Sequence, residues 1–296
     1  MKSIFITGST GFIGKYILKQ FENIYLFSKS EKRTTISINQ DIVIHFAGKA
    51  HDLKHTATSQ EYYNVNTELT KNVYDAFLNS NAKVFITLSS VKAVVENLEH
   101  VLTEEHIPNP ITHYGKSKML AEQYILSQRL PDGKRVFILR PCMIHGPGNK
   151  GNINLLYNIV RKGFPWPLGA FDNKRSFCSI DNLCFAINEL IQNDKIPSGV
   201  YNIADDEALS TNELIKLISE IEGKVPFIWH IPKFIIKSIS KIGDWFRLPL
   251  NTERLGKLTE SFIVSNQKLK NAINKPLPVS AREGLLKTFN SLNNAQ

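Results

Sequence analysis

The chain has 296 residues, 42% of them hydrophobic, and a formal net charge of +9. That apolar content is enough for one large α/β unit or two interlocked domains and argues against disorder. The basic residues are scattered and meet no nucleic-acid motif, so nucleic-acid binding is not expected, and no run reaches the roughly 18 apolar residues of a membrane span.

Taken in order, apolar runs alternate with helical patterns. Residues 4–7 read as a strand, 14–21 as a helix, 24–27 and 41–46 as further strands, and 60–80 as a helix. Residues 84–88 read as a strand, 114–129 as a helix and 136–140 as a strand. Strands separated by helices imply a parallel sheet with right-handed crossovers, and their continuous apolar character fits burial on both faces. The expected fold class is α/β, a Rossmann-type doubly wound parallel sheet. After Pro141 the run "RPCMIHGPGNKGN" breaks the pattern, and helices follow near 154–163, 181–192 and 211–222. The expected organisation is a dinucleotide-binding unit over 1–150 with a return segment at about 176–204. A smaller C-terminal substrate-binding region would be formed by 151–175 and 205–296. Cys142, Cys178 and Cys184 show no metal-ligand spacing and read as reduced, buried thiols, the last two in a strand and a helix. Lys2 leads straight into the first strand, so no signal peptide and a cytoplasmic location are expected.

The turn "TGSTGFIG" places Gly8, Gly11 and Gly14 between a strand and a helix. One glycine permits the turn, one lets the backbone approach phosphate, and one lets the helix pack on the strand, the arrangement that holds a dinucleotide pyrophosphate. About 20 residues further on, an acid would accept hydrogen bonds from the ribose of NAD. Ser28 and Lys29 stand there instead, with Lys32 and Arg33 close by. No carboxylate repels a 2′-phosphate, which favours NADP(H) over NAD(H); the alternative is a solvated basic loop.

The stretch "HYGKSKMLAEQY" carries Tyr114 and Lys118, four apart and so on one helix face. A neighbouring ammonium is expected to lower the phenol's pKa and let it exchange a proton near neutral pH. The pair follows the strand "FITLSS", which ends in Ser89 and Ser90 at the edge where a parallel sheet meets its ligands.

With these residues in view, the chain resembles the extended short-chain dehydrogenases/reductases of the nucleotide-sugar epimerase/dehydratase group. The matching segments are "TGSTGFIG", "HFAG" at 45–48, "NVN" at 64–66, "FITLSSV" at 85–91, "YGKSK" at 114–118, "RPCMIHGPGN" at 140–149 and "RSFCSIDNL" at 175–183. The resemblance implies a catalytic triad of Ser90, Tyr114 and Lys118. It implies cofactor contacts from Gly8, Thr10, Gly11, Phe12, Ile13, Gly14, Ala47 and Gly48, joined by Tyr114 and Lys118. Asn149 and Arg175 would lie near a diphosphate-linked sugar, a role that suits an arginine fork; the alternative for Arg175 is a salt bridge. Two departures stand out. About fourteen residues link the second strand to "DIVIHFAG", as if a helix were deleted and the adenine pocket made shallower. "KAVVE" also follows the catalytic serine, leaving Lys92 either against substrate or in solvent.

Val91 and Lys92 replace the acid pair of a 4,6-dehydratase. The stretch "LSSVKAV" is similar to reductases of UDP-4-keto-6-deoxy-N-acetylhexosamines, which make sugars for surface polysaccharides. The resemblance thus implies a UDP-sugar substrate and an NADPH-dependent 4-ketoreductase. The alternatives are an NAD-dependent 4-epimerase and a non-catalytic NADP(H) sensor. It also implies a homodimer through the helices at 60–80 and 114–129. In "FIWHIPKFIIKSISKIGDWFRLPL", Ile235, Ile239, Ile242 and Phe246 recur at helical spacing. The simpler expectation is a helix packed over the sugar pocket; the alternative is a surface helix that touches a membrane. His145 and His230 read as structural or substrate-facing.

Overall fold

The computed structural model describes residues 2–21, 26–29, 36–49, 58–149, 151–246 and 251–294. In chain order the first half is β1 (Ser3–Thr7), α1 (Phe12–Phe21), β2 (Leu26–Lys29), β3 (Ile42–His45), α2 (Ser59–Tyr62), a π-helical turn (Tyr63–Glu68), α3 (Leu69–Leu78), β4 (Val84–Leu88), α4 (His113–Ser127) and β5 (Arg135–Pro141). The second half is β6 (Met143–His145), α5 (Asn152–Arg161), β7 (Arg175–Ser179), α6 (Ile180–Gln192), β8 (Gly199–Ile203), β9 (Ala208–Leu209), α7 (Thr211–Ile221), α8 (Lys233–Phe246), α9 (Thr252–Thr259), α10 (Gln267–Ile273) and α11 (Ala281–Asn294).

Six strands form one parallel sheet in the order β2-β1-β3-β4-β5-β8. The central residues of β3, β4 and β5 are apolar and buried, as a sheet covered on both faces requires. The chain steps outward from β1 to β2 and then back across β1 to β3. Strand order therefore reverses between β1 and β3, and the carboxyl ends of that pair open the crevice where α/β sheets bind ligands. Among the described residues of the β2–β3 connection, 36–41 form no helix.

A second, three-stranded sheet, β6-β7-β9, carries the C-terminal helices. Tyr157, Trp166, Leu168, Phe171, Leu214, Ile218, Ile236 and Phe289 form its own apolar core. The two cores are threaded through each other, because Val264, Leu269 and Ile273 pack beneath the large sheet. Side-chain oxygens mark the helix starts: Thr112 accepts from Gly115 N for α4, and Ser210 with Glu213 makes a capping box for α7.

The structure differs from the sequence reading in three places. The helix expected over 60–80 is three segments, with a π-turn at Tyr63–Glu68 between α2 and α3. Strand β8 mixes polar and apolar residues and β9 is only the pair Ala208–Leu209, so neither is legible as a strand in the sequence. Finally, Ile235, Ile239, Ile242 and Phe246 are 38%, 44%, 53% and 67% exposed, so this stripe does not pack over a pocket. Cys178 and Cys184 lie in β7 and α6, and all three cysteines are free and buried, as expected.

Candidate active site

The glycine turn joins β1 to α1. Gly8 has φ +71°, and a Cβ there would lie 2.5 Å from the backbone of Phe46 and Ala47, at the end of β3. A Cβ on Gly14 would lie 2.3 Å from Gly8 O. Only glycine lets α1 and the β3 loop close on this turn. Thr10 and Gly11 stand exposed at the lip, Phe12 and Ile13 begin α1, and no acid occupies its first turn. Amides at a helix start that meet no carboxylate suit a dinucleotide's pyrophosphate. Ala47 N donates to Thr7 Oγ1 at 3.2 Å. Ser28 and Lys29 end β2, in register with Phe5 and Ile6 of β1. Arg33 and Lys32 lie outside the described residues.

His45 locks this corner. Its Nε2 is 2.9 Å from Thr70 Oγ1 and its Nδ1 is 2.7 Å from Thr7 Oγ1. Thr70 Oγ1 already donates to Asn66 O at 2.8 Å, so Nε2 must carry the ring's hydrogen and Nδ1 must accept from Thr7. Burial pushes the imidazole down to about 3, with Lys118 adding to the effect, so the ring stays neutral. Asn66, in the π-turn, accepts from Lys49 N at 2.8 Å and donates to Ser117 Oγ at 3.0 Å, tying the β3 loop to α4.

Of the three expected catalytic residues, Ser90 and Tyr114 are hydrogen-bonded to each other, and Lys118 lies one turn further along α4. Ser90 follows β4 and opens a short 3₁₀ turn, Val91–Ala93, with its Oγ accepting from Lys92 N at 3.2 Å. Tyr114 and Lys118 lie on α4. Gly115 lets α4 approach, since a Cβ there would lie 2.3 Å from Lys92 O. The Tyr62 ring meets Tyr114 edge-on at 6.1 Å. A Cβ on Gly48 would lie 3.1 Å from Lys118 Nζ, so the β3 loop and the lysine share one wall.

The electrostatics differ from the expectation. Burial raises the Tyr114 phenol above its usual range, a hydrogen bond with Ser90 opposes this, and Glu96 and Tyr62 add to it. The buried ammonium of Lys118 donates to Leu88 O at 2.8 Å, and burial pulls it down to about 8 against the opposing influence of Glu122. Glu122 is itself buried beside Arg140, whose Nε lies 3.0 Å from Oε1. That pair anchors the base of α4 to β5. Sequence reasoning missed it because an acid one turn beyond Lys118 looks like any helix residue.

Of the expected substrate contacts, Lys92 and Arg175 are brought together. The Lys92 ammonium pairs with Glu96 (Oε2 at 3.6 Å) and sits 4.5 Å above the Phe262 ring. Burial lowers its pKa, Glu96 opposes this, and Arg175 adds to it. Arg175 Nε donates to Glu260 O at 3.0 Å. Glu96 also accepts from Thr112 Oγ1 at 2.6 Å, which makes it a hub between Lys92 and α4 that the sequence reading passed over. Asn149 braces its own turn, donating to Ile144 O at 3.2 Å while its carbonyl accepts from Asn154 at 2.7 Å. His145 is structural. It is fully buried between Thr288 Oγ1 at 3.0 Å and Asp205 Oδ2 at 3.4 Å. His230 is exposed. Among the described residues no cluster of His, Cys, Asp or Glu could hold a metal.

A glycine turn free of acids, a serine–tyrosine pair and a buried lysine are groups that can support proton-coupled hydride exchange at a carbinol carbon. UDP-glucose 4-epimerase of Vibrio cholerae is 28% identical, covering 97% of this chain and 94% of that protein. An Escherichia coli O157:H7 enzyme, N-acetyl-alpha-D-glucosaminyl-diphospho-ditrans,octacis-undecaprenol 4-epimerase, is 28% identical over 78% of this chain and 75% of its own. The structure of RMD from Pseudomonas aeruginosa, solved with NADPH, superposes with a TM-score of 0.76 at 20% identity and covers 100% of both chains. A model of the NAD dependent epimerase/dehydratase family matches residues 4–204, and the chain belongs to that family.

Proposed function

We propose that the protein reduces the 4-keto group of a UDP-linked 6-deoxy-N-acetylhexosamine at the expense of NADPH. The observation that carries this reading is the end of β2. Ser28 and Lys29 stand beside the glycine turn where an acid would favour NAD.

When bound, the nicotinamide supplies hydride to carbon 4. Ser90 hydrogen-bonds the carbonyl oxygen and steadies the charge that develops on it. Tyr114 gives its phenolic proton to the forming alkoxide and is reprotonated from solvent. Lys118 would hold the nicotinamide ribose through its buried ammonium. Arg175 and Lys92 offer two cations to the diphosphate, with Glu96 and Glu260 holding them until substrate arrives.

An epimerase is the second reading, favoured by the Vibrio cholerae and Escherichia coli relatives, whose names place 4-epimerisation on nucleotide-linked and polyprenol-linked sugars. Absorbance at 340 nm separates the two. Stoichiometric oxidation of added NADPH by a UDP-4-keto-6-deoxy-N-acetylhexosamine supports the reductase. Tightly bound NAD, no net oxidation, and interconversion of UDP-N-acetylglucosamine with UDP-N-acetylgalactosamine would refute it.

A further inference from the structure

Helix α8 divides its circumference into three sectors at about 100° per residue. Ile236, Ser240 and Gly243 are buried and face the protein. Lys233, Lys237 and Lys241, all exposed, recur along one flank. Ile235, Ile239, Ile242 and Phe246 run along the other flank, and Phe234 and Trp245, 71% and 85% exposed, lie opposite the buried sector. The Trp245 and Phe246 rings stack at 6.0 Å. The segment before the helix adds Phe227 and Trp229, also exposed and packed edge-to-face at 5.6 Å. Soluble monomers rarely leave so much contiguous apolar surface in water.

We propose that α8 docks the protein on an anionic bilayer surface, lying in the interface plane. Isoleucine, phenylalanine and tryptophan side chains would enter the headgroup–acyl boundary, and the three lysines would meet lipid phosphates. Three features favour lipid over a protein partner. Lysines border the apolar sector along the helix, whereas they are depleted from the cores of protein interfaces. Tryptophan and phenylalanine stand at the outermost positions, as in interfacial helices. The only acid on α8, Asp244, accepts from Thr252 N at 3.0 Å, and the chain as a whole carries +9. With 14 residues the helix is too short to cross a bilayer, and among the described residues no helix is long and apolar enough to do so. Helix α9 packs on α8 and leads into Glu260 and Phe262, the residues that hold Arg175 and Lys92. Docking would therefore bring the cationic side of the site to the membrane surface.

The test uses the full chain in flotation with two kinds of vesicle, pure phosphatidylcholine and an equal mixture of phosphatidylcholine and phosphatidylglycerol. Binding is expected to the mixed vesicles, with a blue shift of tryptophan emission that Trp245→Phe diminishes. Ile239→Asp/Ile242→Asp should lower binding at least about tenfold, as should Lys233→Glu/Lys237→Glu/Lys241→Glu. These positions are exposed, so unchanged melting and circular dichroism would show the variants folded. Absence of flotation with the mixed vesicles overturns the proposal, as does binding that both variants leave intact. A dimer in light scattering that Ile239→Asp/Ile242→Asp converts to monomer, without vesicle binding, would make the occupant a second copy of the chain and equally overturn it.

Discussion

Replacing Lys118 by methionine should remove activity and yet stabilise the protein at neutral pH. Methionine matches the lysine stem in length and carries no charge. The ammonium is buried, and its descent from the usual 10.5 to about 8 corresponds to about 3 kcal/mol of unfavourable burial. Methionine relieves this but leaves Leu88 O without its 2.8 Å donor, a loss of about 1–3 kcal/mol. The expected net gain at pH 7 is about 1 kcal/mol. The sign follows from proton counting. Below pH 8 the folded and unfolded chains both hold the proton, and the wild type bears the whole penalty. Between about 8 and 10.5 the unfolded chain keeps the proton that the folded chain has lost, so wild-type stability climbs with pH. Urea unfolding of both proteins from pH 7 to 10.5 should therefore show the wild type gaining about 3 kcal/mol on the variant and overtaking it. Parallel stability curves, or a variant much less stable at pH 7, would refute the reasoning.

Four further outcomes follow from the same geometry. Glu122→Gln strands the buried Arg140 guanidinium and should lower stability by about 3–5 kcal/mol, while Glu122→Gln/Arg140→Met should regain most of it in the same urea titration. His45 stays neutral down to about pH 3, so its contribution is intact above 6.5 and lost as pH falls. The expected slope is about 1.4 kcal/mol per pH unit, and His45→Gln should flatten that part of the acid-unfolding curve. Gly115→Ala forces α4 away from Lys92 O and should reduce kcat at least about tenfold, with a smaller loss of melting temperature. Tyr114→Phe should keep the dinucleotide, seen by fluorescence titration, but lose about a hundredfold or more in turnover, whereas a sensor protein would keep its function.

Strands β1, β3, β4 and β5 of the large sheet were legible because parallel strands covered on both faces are nearly continuous apolar runs, whereas β8 in the same sheet mixes Asn202 with apolar residues. The glycine turn was legible because each glycine has a steric task that the backbone of Phe46 and Gly8 imposes. Other features depend on where a side chain points, which spacing does not encode. The four-residue interval placed Tyr114 and Lys118 on one face but did not reveal that the ammonium turns to Leu88 O. Glu122 and Arg140 are 18 residues apart and meet only once β5 lies beside α4. The π-turn was invisible because Asn64 and Asn66 fit a regular helix by composition. Periodicity along α8 marked an apolar face without showing whether protein or solvent lies against it.

The threading of the two cores sets when this protein can fold. Asn182 donates to Val279 O across 97 residues, and His145 meets Thr288 across 143. A nascent chain that has emerged only as far as residue 204 possesses all six strands of the large sheet, but not Val264, Leu269 or Ile273 beneath them. Such long-range closure slows folding and leaves apolar surface uncovered until residues 264–273 have emerged. A fragment cut after the sheet should therefore aggregate rather than behave as a minimal cofactor-binding unit, and nonsense mutations between 204 and 264 should act as null alleles.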